Sequence, residues 1–374
     1  MEGTKAPFRR LCMSSDASRK VATQREKTIS RFRWRWYDTL CLYLPFGWLI
    51  FLNRHWNFYH RALRPVAWAG YECLFFLLPF GFYFSMGLRA LRERFFPASV
   101  KPTPATSCSI CGESCINDLL LVRDYSHRWC NELVSVLDQK YFRAEYRGLE
   151  KVPTQGPAII MMNHAGMAFP WDFMLFGAKL HQINREQPNY LLRAPGEKAF
   201  TRNKILRYIL PEGWTGTLGG VEATYQNFEK IIKHKQLSLY APEGAGGMGK
   251  SWGQRYQLQH FHTSAIRLAA VYNVPIVPVV CVGNEWLHPF AYDVKAIARL
   301  LKFPFFGVSP FSIWVLLFPS MLPWSLPAQM RYYVSDPVHL PRQDYASFTD
   351  GDWQKLADQF KLRMQQQIDG LLKK

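Results

Sequence analysis

The stretch Ala158-Ile159-Ile160-Met161-Met162-Asn163-His164-Ala165-Gly166-Met167-Ala168-Phe169-Pro170-Trp171-Asp172 runs an apolar segment into an Asn-His pair and then, beyond a turn, a carboxylate. A short apolar run of this kind reads as a strand, Ala158–Met162. In a parallel sheet its carboxyl end, and with it His164, lies where open α/β sheets place their sites. Gly166 and Pro170 make a turn that can fold Asp172 back towards the His164 ring. A carboxylate on one imidazole nitrogen sets the tautomer and raises the basicity of the other, which can then take the proton of an attacking hydroxyl. A His that merely satisfies a strand end would leave the same local sequence, so the pair gains weight only from the rest of the chain.

Outward from this stretch the pattern alternates. Strands are expected at Arg143–Tyr146, Asn189–Arg193, Leu237–Tyr240, Ile276–Val282 and Gln329–Val334, with helical segments such as Val221–Lys235 and Thr263–Val271 between them. Such alternation predicts an α/β domain with a largely parallel sheet flanked by helices, over residues 140–374. Strand Leu237–Tyr240 enters the loop Ala241-Pro242-Glu243-Gly244-Ala245-Gly246-Gly247-Met248-Gly249-Lys250, whose glycines can expose backbone N–H groups to an anion. The loop lacks the spacing of a nucleotide-binding P-loop. Strand Ile276–Val282 carries Pro278 and follows Pro275, which suggests an edge or a bulge. In the last stretch Trp353, Leu356, Phe360, Met364 and Ile368 recur at helical spacing, predicting a C-terminal helix packed on the domain.

One segment breaks the rhythm. Phe303–Pro327 has no charged residue but five prolines and one glycine. Prolines at that density forbid a continuous helix. A lipid-dipping loop or the wall of an apolar tunnel explains the composition better than an irregular core loop.

The 374 residues carry 46 Lys+Arg against 28 Asp+Glu, a formal charge of +18, with 48% hydrophobic and 16% aromatic residues. Such a surplus suits an anionic partner, and with long apolar stretches present a lipid surface leads over nucleic acid, for which no motif is found. Residues 1–36 read as a basic disordered arm, with an organellar transit peptide as the alternative reading. Residues 37–96 form a hydrophobic membrane-associating region. Tyr37–Leu52 is too short to span, and Val66–Leu88 is long enough but interrupted by Pro79 and Gly81. Residues 97–139 hold a Pro-rich linker, a Cys-rich patch and an amphipathic entry helix around Asp124–Gln139. The eight cysteines do not form a disulfide framework. Cys108, Cys111, His127 and Cys130 have a spacing close to that of a zinc site, but His127 and Cys130 sit at the start of the amphipathic helix, where simple packing or solvation is the first expectation and no metal is required.

The Asn163-His164 block ending in Asp172, the Pro242-Glu243-Gly244 block and the Val274-Pro275-Ile276-Val277-Pro278-Val279 block, in this order, resemble the glycerolipid acyltransferase family. The similarity covers roughly residues 140–345 and includes Arg147-Gly148-Leu149-Glu150 and Val152-Pro153. It is most like the branch of mono- and diacylglycerol and phytol acyltransferase-like proteins, where an apolar loop such as Phe303–Pro327 is expected. The resemblance implies attack by a lipid hydroxyl on the acyl thioester of CoA or acyl carrier protein, which is a co-substrate. It implies His164 as base, Asp172 as its partner, and neither a cofactor nor a covalent acyl-enzyme. Substrate-binding residues implied or possible are Asn163, Glu243, Gly244, Lys250 and Arg255.

Three departures carry information. Seven residues separate His164 from Asp172 where the family has four, which places Asp172 in doubt. The Pro-Glu-Gly block continues Ala245-Gly246 in place of Thr-Arg, and Gly219-Gly220-Val221-Glu222 lacks the basic residue usual there. Without those two phosphate clamps a neutral acceptor, diacylglycerol or a long-chain alcohol, is expected ahead of lysophosphatidate. Lys250 or Arg255 is the residue that could compensate. A membrane-associated enzyme is expected, its site facing the cytoplasm or stroma. The competing expectation is a membrane-binding scaffold with a degenerate acyltransferase domain.

Overall fold

A computed structural model describes residues 34–44, 46–54, 75–95, 126, 129–167, 169–184, 192–197 and 218–373. Its centre is a sheet of seven strands in the order β1-β9-β6-β2-β5-β3-β4. The strands are β1 Glu145–Arg147, β2 Ala158–Met162, β3 Leu192–Gly196, β4 Gly220–Glu222, β5 Leu237–Tyr240, β6 Ile276–Val282 and β9 Arg331–Val334. A separate ribbon pairs β7, Tyr292–Asp293, with β8, Gly307–Val308. Within the main sheet every pairing is parallel except β6 with β9. The sheet is thus mostly parallel, as the alternating pattern predicted.

β2 sits between β5 and β6, with Ile160 level with Leu239 and Val277. All residues of these three strands are buried, which is why they appear in sequence as unbroken apolar runs. Alternate side chains feed two cores. Ile160, Met162, Val277, Val279 and Cys281 join one apolar cluster, and Ile159, Met161, Ile276, Val280 and Val282 join the other. Helices among the described residues include α1 Trp36–Tyr43, α2 Gly81–Phe95, α3 Trp171–Ile183, α4 Tyr225–Lys233, α5 Ser264–Tyr272, α6 Ser312–Leu317 and α7 Asp350–Leu372. The first core takes in α1, α3 and an entry helix of mixed π and α turns running from Trp129 to Phe142. α4, α5 and α7 build the second.

The C-terminal helix packs as its spacing predicted, burying Trp353, Ala357, Phe360, Met364 and Ile368. Thr349 caps it by accepting from the Asp352 N–H. β3 lies at Leu192–Gly196, beyond the expected Asn189–Arg193, part of which lies outside the described residues. The expected helix Val221–Lys235 is corrected. Its first residues form β4, and α4 starts only after Thr224, whose side chain accepts from the Asn227 N–H. Pro278 was expected to mark an edge or bulge. Instead it lies in a buried strand flanked by β2 and β9.

Among the described residues no helix is long and apolar enough to cross a membrane. Tyr37–Leu52 holds α1 and a second helical piece over 47–54. The expected stretch Val66–Leu88 lies partly outside the described residues, and its described end opens α2. Residues 1–33 and 97–125 also lie outside them, and with them the basic arm and the linker.

Candidate active site

β6, β2 and β5 are adjacent and parallel, so the loops leaving their carboxyl ends meet over the same part of the sheet. His164 comes from β2, Glu243 from β5, and Asn284 and Glu285 from β6. Asn163 does not face a ligand. Its side chain donates to the Cys281 carbonyl and accepts from the Cys281 N–H, tying the end of β2 to β6. That tie holds the next residue, His164, at the sheet's edge.

The seven-residue spacing does bring the pair together: His164 Nδ1 lies 3.0 Å from Asp172 Oδ2. After β2 the chain passes through left-handed conformations at Gly166 and Met167, with φ of 110° and 58°. It then enters α3 at Trp171, which puts Asp172 in the first helical turn. A carboxylate there is favoured by the unpaired N–H groups and the dipole of the helix start. Asp172 is fully buried and accepts from the Ala165 N–H, the Phe173 N–H and Asn284 Nδ2. Tyr332 on β9 donates its hydroxyl to the Asp172 backbone carbonyl at 2.8 Å. The donors leave the carboxylate little freedom to turn away from the ring, and Phe173 packs on the ring with centroids 4.4 Å apart.

Glu243 works behind His164. Its Oε1 accepts from the His164 N–H and its Oε2 from the Gln259 N–H, so it braces two loops. The glycines after it permit close approach. A Cβ on Gly247 would stand 2.9 Å from the His164 carbonyl oxygen and 3.0 Å from Glu243 Cβ. Lys250 is buried, with Nζ 2.8 Å from Glu285 Oε1 and 4.0 Å from Glu243 Oε2. The Glu285 contact lacks the alignment of a hydrogen bond, so it is chiefly a charge contact. Burial works to lower the Lys250 pKa, but Glu243 and Glu285, with the Asp172 charge added, outweigh it and hold the pKa above its ordinary value. Arg255 is exposed on the outer surface, its guanidinium 4.9 Å from the Trp252 ring centre.

His164 and Gly244 reach the wall of a cavity of about 1650 Å³; Asn163, Asp172, Glu243, Lys250 and Arg255 do not. The wall is apolar, and the segment Phe303–Pro327 supplies much of it, including Phe305, Phe311, Ile313, Leu316 and Pro319. Its irregular backbone is satisfied by the protein. Phe80 N–H donates to the Leu317 carbonyl, the Trp171 indole to that of Pro323, and the Tyr141 hydroxyl to that of Ser325. Phe82, Tyr83 and Met86 of α2 close another side. No lysine or arginine is among the described residues of the wall.

Residues that sequence reasoning missed are Asn284 and Glu285, Tyr332, and His288 of the cavity wall. Asn284 and Glu285 stand at the end of β6 as His164 does at the end of β2, and that equivalence was the available signal. Of the zinc candidates, Cys108, Cys111 and His127 lie outside the described residues. The Cys130 thiol is buried, and burial pushes its pKa up to about 12, away from the thiolate a metal binds. Among the described residues no cluster of three or more His, Cys, Asp or Glu could hold a metal ion.

Residues 143–282, from the start of β1 to the end of β6, match the acyltransferase family model. Over that segment the chain is similar to the acyltransferase domain. The match agrees with the resemblance drawn from the three blocks at the level of an acyltransferase domain. An uncharacterized protein of Mycobacterium tuberculosis is 31% identical over 242 residues, 63% of this chain and 63% of its own. One of Mycobacterium leprae is 30% identical over 242 residues, 63% of this chain and 61% of its own. The chain therefore spans less than two thirds of the length of these relatives. In structure, the 1-acyl-sn-glycerophosphate acyltransferase PlsC of Thermotoga maritima aligns with 66% of this chain and 81% of its own, at 14% identity and a TM-score of 0.38. The matched segment ends at β6, whereas Tyr332 and part of the apolar wall come from the residues after it.

Proposed function

We propose that the protein is a membrane-associated O-acyltransferase acting on a neutral lipid hydroxyl, with diacylglycerol or a long-chain alcohol as acceptor. The acyl group comes from a thioester of CoA or acyl carrier protein. The observation that carries this reading is a buried His–carboxylate pair opening on a large apolar cavity whose described wall has no cation. A phosphorylated acceptor brings at least one negative charge into a low-dielectric space, and such a charge needs a partner. Lys250 is already held by two carboxylates, and Arg255 is outside.

In the reaction the lipid hydroxyl attacks the thioester carbonyl carbon while its proton passes to the His164 nitrogen that Asp172 does not hold. The tetrahedral adduct then expels the thiolate, the C–S bond breaks, and the proton on His164 goes to sulfur. His164 touches the reacting atoms; Asp172 orients it, and Glu243 and Asn163 act through position. No further cofactor enters.

Membrane contact is supported by exposed apolar residues close to the cavity. Trp36, Leu40, Leu44, Phe46 and Ile50 are exposed on the first two helical pieces, Phe84 and Phe95 on α2, and Ile313 and Leu316 on α6. Tyr83, Ile313 and Leu316 are both exposed and part of the wall, so the cavity's rim and the apolar surface are continuous. With the site facing the cytoplasm or stroma, both substrates could approach along that surface.

The test is incubation of the purified full chain in detergent with labelled acyl-CoA and a panel of acceptors. Product from diacylglycerol or a long-chain alcohol, lost in His164→Ala, is expected. Robust phosphatidate formation from lysophosphatidate would overturn the neutral acceptor. Turnover indifferent to His164→Ala would overturn the chemistry and leave a lipid-binding scaffold.

A further inference from the structure

Residues 286–302 carry a second exposed apolar surface, in a part of the chain separate from α1, α2 and α6. Trp286 and Phe290 pack on the Trp252 ring, with centroids 4.9 and 5.2 Å from it, yet both remain exposed. Phe290 and Tyr292 stand out on either side of buried Ala291, at 63% and 64% exposure. A short helix, Lys295–Leu301, follows; it buries only Ala298, and its Leu300 is 80% exposed. Single exposed apolar residues need no explanation, but a run of them marks an interaction surface. Ile297 and Leu301 of this helix also line the cavity, and Ile297 is exposed, so the surface meets the cavity's rim.

The charges of the same stretch are one-sided. Lys295, Arg299 and Lys302 are exposed, and none of them forms an ion pair among the described residues. The one carboxylate of the stretch, Asp293, accepts from the Phe306 N–H. Lys295 and Arg299, four apart, share one face of the helix, whereas Ile297 and Leu300, three apart, share another. Cations on one face and bare aliphatics on another suit a helix lying in a membrane interface, its apolar side among acyl chains and its basic side chains reaching the headgroups. A polynucleotide would satisfy the cations but leave Leu300 without a partner.

We propose that residues 286–302 form a second membrane-docking face that selects anionic bilayers. Trp286, Phe290 and Leu300 enter the headgroup boundary while Lys295, Arg299 and Lys302 meet lipid phosphates. The inference rests on the membrane reading above and adds a charge requirement that the apolar surface of α1, α2 and α6 does not impose. It also separates two tasks. Surface charge decides which bilayer the protein docks on, and the uncharged cavity wall decides which acceptor it takes.

The test is flotation of the full chain, after detergent removal, with vesicles of phosphatidylcholine alone or mixed with phosphatidylglycerol. Wild type is expected to prefer the anionic vesicles. Lys295→Gln, Arg299→Gln and Lys302→Gln together should weaken that binding roughly hundredfold, with binding to neutral vesicles and the melting temperature unchanged. Phe290→Ser with Leu300→Ser should weaken binding to both kinds roughly tenfold. Arg342→Gln, Lys355→Gln and Arg363→Gln make the same charge change at exposed positions off the cavity wall and should have little effect. Wild type without anionic preference overturns the inference, as does a first triple variant no weaker than the second. So does a first triple variant that keeps its vesicle binding but loses retention on an immobilised acidic acyl carrier protein, which would give the face a protein partner. Flotation needs no turnover, so the series is repeated in His164→Ala protein. Charge-dependent docking there stands even if no acceptor is acylated, and charge-blind docking beside normal turnover removes this inference alone.

Discussion

Two charged clusters sit at the same strand ends and share a residue chemistry, yet only one faces the cavity. His164 and Asp172 stand on one side, with both Asp172 oxygens hydrogen-bonded and one imidazole nitrogen left over at the wall. Lys250, Glu243 and Glu285 stand on the other, sealed from the cavity, with the lysine held between carboxylates. In the sealed cluster one cation stands between two carboxylates and lashes the β5 and β6 loops together. The open cluster differs in keeping a basic nitrogen uncommitted next to a space that can hold a substrate. Buried charge alone does not mark an active site; an unspent valence beside a cavity does.

The comparison breaks most visibly at His164. His164→Ala should lower acyl transfer about a thousandfold, in the range general-base removal gives, with the melting curve little changed. In the sealed cluster the expectation reverses. Lys250→Met strands two buried carboxylates and should cost about 3–5 kcal/mol of stability, measured by denaturant unfolding. Because the Lys250 pKa is raised on folding, its contribution is complete below about pH 10.4 and is lost only as pH rises through the folded value. Unfolding curves between pH 7 and 9 should therefore differ from those of Lys250→Met by a constant amount.

His288 sharpens the contrast from the acid side. Its folded pKa of about 4 lies below the ordinary value of 6.5, so the unfolded chain binds the proton first. Stability is whole above about pH 6.5 and falls by about 3 kcal/mol on the way down to pH 4. The difference between wild type and His288→Phe over that range isolates the effect from that of the carboxylates. A wild-type curve parallel to that of His288→Phe would show that the ring is not held neutral. The smallest effect is expected at Arg255. Arg255→Ala should shift stability by no more than about 0.5 kcal/mol and leave the KM of every acceptor unchanged, since the side chain only rests on Trp252.

The central strands were legible because they are buried on both faces. β2, β5 and β6 match the expected Ala158–Met162, Leu237–Tyr240 and Ile276–Val282. β4 was hidden because its three residues run directly into a helix, and only Thr224, a capping residue, separates the two. His164 was legible from its place after an apolar run. Asp172 was not secure on spacing alone, since the approach depends on left-handed turns at Gly166 and Met167 and on donors as remote as Asn284. Lys250 shows the limit in the other direction. Nothing in its own loop announces that Glu285, 35 positions on, will occupy it.

The cavity wall has one further property. Phe303–Pro327 is a single excursion that runs through the ribbon strand β8 and ends just before β9. None of its residues pairs with the main sheet, so residues could be added to or removed from it after β8 without shifting the register of β2, β5 or β6. The depth of the chamber, and hence the length of chain it can measure, is a variable written apart from the chemistry. A lineage could retool this loop as a ruler and leave His164 and Asp172 untouched.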